Sequence, residues 1–264
     1  MKVFHSLAIA ALALAVSVAA AAPGQAQTLD RILKEKKIRI TAELTSPPFG
    51  IITADGQPDG AEVETARTLA KDLGVELELV QVTGPSRIPT LLSGRADLAI
   101  SSLSITTERA KAVLFANPHG ALNIVVAGPQ KTAIKAPADM VGKRIGITRG
   151  TLEEAETPKI APQGANLVFF DDIGATIQAM LSGQVDAMGM SEHAVKSVAE
   201  RAPDQKIETK FRIRTAYYAA AVKPGDYDLL HWVNTWVFQS KQNGTLARIY
   251  EKWMGIPLGD LPTL

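Results

Sequence analysis

The 264-residue chain has no cysteine, which excludes disulfides, a lipidated cysteine anchor and thiolate metal sites. It also lacks a charge imbalance. With Lys2 set aside as part of a removable leader, 27 basic residues face 27 acidic ones, so neither nucleic acid nor an anionic membrane surface is an expected partner. Past residue 26 no uncharged stretch approaches the roughly 20 apolar residues that a membrane span needs. The common catalytic signatures are missing as well: there is no P-loop, no G-x-G-x-x-G after a strand and no H-E-x-x-H. Gly189-Met190-Ser191-Glu192-His193 begins like a nucleophile elbow, but His193 stands where the second glycine belongs, which leaves Ser191 as a helix N-cap. Asp171-Asp172 reads as a capping pair before a helix rather than a metal site. His119 and His231 have no partner at ligand spacing, and no cofactor is expected.

Residues 1–26 carry an export signal: Lys2, an apolar run from Leu7 to Ala22, and small residues at Gly24-Gln25-Ala26 for cleavage. The mature chain is therefore expected in the periplasm. About 235 residues remain, enough for one large domain or two modest ones. Strand-like and helix-like segments alternate, which argues an α/β fold.

Leu29, Ile32 and Leu33 mark a short helix after Thr28, and Ile38 to Ala42 reads as a first strand. It leads into the proline-stiffened loop Pro47-Pro48-Phe49-Gly50, and Asp55-Gly56 signals a turn. Helical spacing from Glu62 to Leu73 stops at Gly74. Arg87-Ile88-Pro89 opens another helix, because proline is tolerated in a first turn. A second run of the same grammar has strands at Arg144–Thr148, Asn166–Phe170 and Val185–Met188, with helices after Thr151, at Ile173–Leu181 and from Ser191 to Arg201. A strand over Ala216–Val222, a long helix over Tyr227–Gln242 and a last helix over Leu246–Trp253 close the chain. No Gly/Ser-rich linker interrupts it. Two lobes joined by short strands near Leu122–Val126 and Tyr217–Ala221 fit better.

The stretch Ser101-Ser102-Leu103-Ser104-Ile105-Thr106-Thr107-Glu108-Arg109 carries the strongest ligand signal. A buried strand runs into three serines and then into a helix start, where Thr106 is the N-cap candidate. Arg109 in that first turn opposes the helix dipole by roughly 0.3 to 1 kcal/mol. Hydroxyls, free N–H groups and a guanidinium fork in one place suit a carboxylate.

On these residues the chain resembles the polar amino-acid solute-binding proteins of bacterial ABC importers (extracellular solute-binding protein family 3). The stretch 101–109, the loop 47–50, Leu181-Ser182-Gly183-Gln184-Val185-Asp186-Ala187, and Asn243-Gly244-Thr245-Leu246 followed by Tyr250-Glu251-Lys252-Trp253 carry the resemblance. It implies two α/β lobes, each a mixed sheet flanked by helices, that close on one ligand about a two-strand hinge. Lobe 1 would take residues 28–123 and 219–264, and lobe 2 residues 124–218. The protein would act as a monomer that delivers an amino acid to an inner-membrane ABC permease, without being an enzyme. Arg109 would grip the ligand's α-carboxylate, helped by Ser101, Ser102 and Ser104 and by the helix start at Thr151 and Leu152. Glu43 and Phe49 in the first loop would also face the ligand.

The chain departs from the family at two places. Ser46 stands where many members have an aromatic residue, and Ser191 where an aspartate commonly binds the α-amino group. Either Glu192 takes over that role or the ligand has no such group. Arg87 and Arg149 at two further helix starts would put three guanidinium groups around one pocket, which suggests a polar and acidic ligand side chain. Otherwise Arg149 points to solvent and Arg87 pairs with an acid such as Glu43. Two other functions share the scaffold: a dehydratase acting on a carboxylated ring with Glu192 or Glu43 as general acid, and a ligand-binding sensor subunit acting in trans.

Overall fold

The structure is a computed structural model that describes residues 28–264; the export signal read at 1–26 lies outside the described residues. In chain order the elements are α1 (Thr28–Glu35), β1 (Lys37–Ala42), β2 (Ile51–Ile52), β3 (Pro58–Asp59), α2 (Ala61–Leu73), β4 (Glu76–Gln81), α3 (Arg87–Leu92), β5 (Leu98–Ala99) and β6 (Leu114–Phe115). They continue as β7 (Gly120–Pro129), β8 (Arg144–Thr148), α4 (Leu152–Ile160), β9 (Asn166–Phe170), α5 (Ile173–Leu181), β10 (Ala187–Ser191) and α6 (Glu192–Arg201). The chain ends with β11 (Ile207–Tyr218), β12 (Ala221–Val222), α7 (Tyr227–Gln242) and α8 (Thr245–Met254).

Two five-stranded mixed sheets organise these elements, one in the order β4-β1-β5-β12-β6 and the other in the order β11-β7-β10-β8-β9. Each has a parallel trio: β4, β1 and β5 in the first, β10, β8 and β9 in the second. Antiparallel strands complete both sheets. Ile38, Ile40, Leu69, Leu98, Leu229 and Val233 are fully buried where α2 and α7 cover the first sheet; each such side chain contributes on the order of 1.5–3 kcal/mol. Met180, Met188, Val195 and Val198 fill the second lobe between its sheet and helices α5 and α6. The result is a two-lobed α/β fold.

The chain passes from the first sheet to the second between β6 and β7 and returns between β11 and β12. Strands β7 and β11 pair antiparallel from Gly120↔Tyr218 to Pro129↔Ile207. Their near end is tied to the first lobe, because Ile105 N–H donates to Tyr217 O and Ser104 bridges Tyr218. This two-stranded ribbon holds the lobes opposite each other across a cleft.

Two expectations fail. No α-helix starts at Thr106: Arg109–Lys111 is a single 3-10 turn, although Arg109 N–H does bond Thr106 Oγ1 at 3.1 Å. A cap without an apolar stripe behind it does not sustain a helix. The last strand region is also much longer than Ala216–Val222, because β11 begins at Ile207 and has two register shifts.

Candidate functional site

The cleft has a cavity volume of ≈ 50 Å³. From the first lobe Ser46, Phe49, Arg87, Ser102, Ser104 and Arg109 line it. The ribbon adds Leu122 and Ile124, and the second lobe closes it with Thr148, Thr151, Leu152, Glu153, Ile173, Met188, Gly189, Met190, Ser191 and Ala194. Arg87, Arg109 and Glu153 supply its charge, and Leu122, Ile124, Leu152, Ile173, Met188 and Met190 its apolar or sulfur-bearing groups.

Backbone geometry sets the charged groups in place. The N–H of Ser102 donates to Glu62 Oε2 at 2.8 Å, and Glu62 is itself held against His119 Nε2 at 3.1 Å. Ser102 sits at φ 47°, a left-handed conformation that costs a non-glycine residue about 1–2 kcal/mol and that this buried carboxylate supports. Arg109 donates from Nη1 to Ser104 O and from Nη2 to Gly150 O, both at 2.8 Å. Burial, with Arg87 adding to it, pulls its guanidinium down to about 10, so it stays cationic at neutral pH.

Arg87 is buried and donates to Ser101 O at 2.9 Å and to the same Gly150 O at 2.8 Å. Its Nη1 lies 3.5 Å from Glu43 Oε2. Burial pushes the Glu43 carboxyl up, with Arg87 pulling it back. Two guanidinium groups of one lobe thus meet a single carbonyl of the other. The lobes touch backbone to backbone there. A Cβ built on Gly150 would lie 2.3 Å from Gly84 C, and one built on Gly84 would lie 2.3 Å from Arg149 O. Gly150 has φ +72° as well, so both its conformation and its neighbour demand glycine.

On the second lobe Thr151 caps α4. Its Oγ1 accepts from Glu154 N–H at 3.3 Å while Glu154 Oε2 accepts from Gly150 N–H at 2.7 Å, a reciprocal arrangement that stabilises the helix start by about 1 kcal/mol. Ser191 caps α6, accepting from Ala194 N–H at 3.3 Å.

Of the residues singled out from the sequence, Phe49, Arg87, Ser102, Ser104, Arg109, Thr151, Leu152 and Ser191 line the cleft. Ser101 does not; its hydroxyl lies 3.2 Å from that of Thr41 in the core. Glu43 stands behind Arg87, away from the cavity. Glu192 points elsewhere, accepting from Asn123 Nδ2 at 2.7 Å with Arg212 at 3.8 Å, so it does not replace the missing aspartate. Arg149 is directed outward, 3.2 Å from Asp171 and stacked 5.2 Å from the Phe169 ring centre. Three guanidinium groups therefore do not converge on a ligand, and the ground for an acidic ligand side chain falls away. Sequence reasoning missed Glu153 and the apolar wall of Ile124, Ile173, Met188 and Met190. The alternating strand pattern of Met188 and Met190 was the one available signal for that wall.

A cleft between two α/β lobes, lined by guanidinium groups as well as apolar side chains, is in keeping with a solute-binding protein. The chain belongs to the bacterial extracellular solute-binding proteins, family 3, whose model matches residues 38–256. The L-cystine-binding protein TcyJ of Escherichia coli (strain K12) is 31% identical over 230 residues, 86% of each chain. A solute receptor for L-cysteine from Neisseria gonorrhoeae superposes with a TM-score of 0.79 at 30% identity, covering 85% of this chain and 92% of the receptor. The ancestral amino acid-binding protein AncCDT-1, a precursor of cyclohexadienyl dehydratase, superposes with a TM-score of 0.80 at 30% identity, covering 86% of this chain and 99% of that one.

Proposed function

We propose that this protein is the periplasmic substrate-binding component of an ABC importer, that it carries a small neutral α-amino acid to an inner-membrane permease, and that it works as a monomer. The observation that carries this is the pairing, in one small cavity, of the guanidinium of Arg109, with Arg87 beside it held additionally against Glu43, and an apolar wall from which Arg149 is turned away. Arg109 grips the α-carboxylate in a bidentate manner, exchanging its two carbonyl partners for carboxylate oxygens, and Ser102 and Ser104 flank it. The side chain lies against Ile124, Ile173, Met188 and Met190, where polarizable thioethers accommodate alkyl or sulfur-bearing groups. A neutral ligand replaces the acidic one inferred from the sequence. Relatives named for cystine and cysteine binding accord with this choice. Lobe 1 takes residues 28–123 and 219–264, lobe 2 residues 124–218, and the β7/β11 ribbon is the hinge.

A thermal-shift screen of the protein L-amino acids with L-cystine tests this. Small neutral members are expected to raise the melting temperature, and saturation at 100 times Kd adds about 2.7 kcal/mol. Stabilisation by glutamate or arginine with none by neutral amino acids would refute the ligand class. Neither acid required by the dehydratase alternative, Glu43 or Glu192, lines the cleft; turnover of prephenate-like acids by the pure protein would overturn the binder assignment.

A further inference from the structure

An α-amino acid brings an ammonium as well as a carboxylate, and a buried ammonium needs a counter-charge. Ser191 is neutral and its hydroxyl caps α6. Glu192 and Glu43 are outside the cavity, with cations at 3.8 and 3.5 Å. Among the described residues that line the cleft, the single acid is Glu153. It is 9% exposed, and no cation of the described residues stands within the 4.0 Å of an ion pair.

The setting of Glu153 explains why its side chain reaches the cleft. The first turn of α4 favours a carboxylate electrostatically, but that alone would be met by a solvent-facing acid. Here the side chain crosses the floor of the cleft over Gly189 of β10, where an added Cβ would lie 3.1 Å from Glu153 Cβ and 3.3 Å from its Cγ. A larger residue at 189 would crowd the stem out. The four-residue segment Gly150–Glu153 also brings the two charges of the site together, since Gly150 O accepts Arg109 Nη2 at 2.8 Å and Glu153 follows three residues later. A zwitterion separates its charges by a single carbon, so an anion site and a cation site on one short segment match it.

We propose that Glu153 is the counter-charge for the ligand's α-ammonium, the role left vacant at Ser191. This rests on the amino-acid reading of the cleft. The other charged groups around Glu153 are Arg87 of α3, Arg109 of the 3-10 turn and Glu43 beyond Arg87; β10 offers Gly189, which is neutral. Burial pushes the carboxyl of Glu153 up, so entry of an ammonium favours release to solvent of any proton it holds in the free protein.

Calorimetric titration of wild type, Glu153→Gln and Glu153→Gln/Ser191→Asp tests the proposal. The probes are the protein L-amino acids with L-cystine, and the desamino partners propionate and 3-mercaptopropionate. Glu153→Gln is expected to weaken the best amino acid at least tenfold, to leave the desamino acids unchanged or tighter, and to abolish proton release measured in two buffers of different ionisation enthalpy. Ser191→Asp, which keeps the cap, is expected to restore much of the lost affinity. Equal amino-acid affinity in wild type and Glu153→Gln would overturn the role of Glu153 and leave the amino-acid reading standing. Wild type that binds no amino acid, or only the desamino acids, would overturn both. Circular dichroism melts establish that each variant is folded.

Discussion

Gly150→Ala should disable closure while sparing both lobes. The added methyl would sit 2.3 Å from Gly84 C, 2.5 Å from Gly84 O and 2.5 Å from Pro85 N, where ordinary contact begins at 3.4 Å. All three atoms are backbone, so no rotamer relieves the overlap. The lobes must separate by about 1 Å at this point, and a 2.8 Å hydrogen bond stretched that far is no longer one. With ligand bound Arg109 has exchanged Gly150 O for the carboxylate, so the bond at stake is the one from Arg87 to Gly150 O, worth roughly 1.5–3 kcal/mol because the donor is charged. A loss of about 1.5–3 kcal/mol from the closed state corresponds to roughly 10-fold to 150-fold in affinity when closure is required for binding. The left-handed backbone at 150 adds its own cost of about 1–2 kcal/mol, which is borne in the open state as well. Gly142→Ala separates the two effects: Gly142 has φ +71° but nothing within 4 Å of its added Cβ, so it should lose stability and keep ligand affinity. Calorimetry gives the affinities, and small-angle scattering with and without ligand reports closure. Ligand affinity and ligand-induced compaction in Gly150→Ala equal to those of Gly142→Ala would refute the reasoning.

Arg109→Ala should cost about 2–5 kcal/mol in ligand binding with the fold retained, and Arg109→Lys should rescue it only in part because an ammonium lacks the fork; near-native affinity of the alanine variant in calorimetry would remove Arg109 from the carboxylate site. Acidification gives a signed prediction for the ligand-free protein. Burial raises Glu153 above its ordinary 4.5, so its contribution to stability is full below that value and is lost as the pH rises through its folded value. The half-buried His193 is shifted down from 6.5 by desolvation and works the other way below that pH, but it cancels in a comparison with Glu153→Gln. The melting-temperature advantage of Glu153→Gln over wild type should therefore be largest near neutral pH and shrink toward 4.5; a difference that does not change with pH would show that Glu153 is not desolvated.

Local signals carried the two-lobed class a long way. β8 and β9 match their expected bounds, and α7 spans Tyr227–Gln242 as its apolar periodicity demands. The part of β11 before Ala216 was not legible because Lys210, Arg212 and Arg214 interrupt its apolar residues and most of its positions are only partly buried. Its conformation comes from pairing with β7, some eighty residues earlier in the chain, which no local window contains. The site divides in the same way. Arg109, Ser102 and Ser104 were readable because a strand end, hydroxyls and a guanidinium share nine residues. The directions of Arg87, Arg149 and Glu153 were not, because Gly150 O, Asp171 and Gly189 set them from elsewhere in the chain.

The placement of β12 governs when the molecule can be assembled. Those two residues, Ala221–Val222, lie inside the first sheet between β5 and β6, yet they arrive only after the whole second sheet has been made. A growing chain that stops short of Ala221 has the strands of its second lobe complete, while its first lobe is split into a three-stranded piece and a detached β6, each with an unpaired edge. Synthesis from the N-terminus thus leaves the earlier-made lobe unfinished until the later-made one has emerged. The wait makes residues 221–264, with β12, α7 and α8, the step that locks the first lobe.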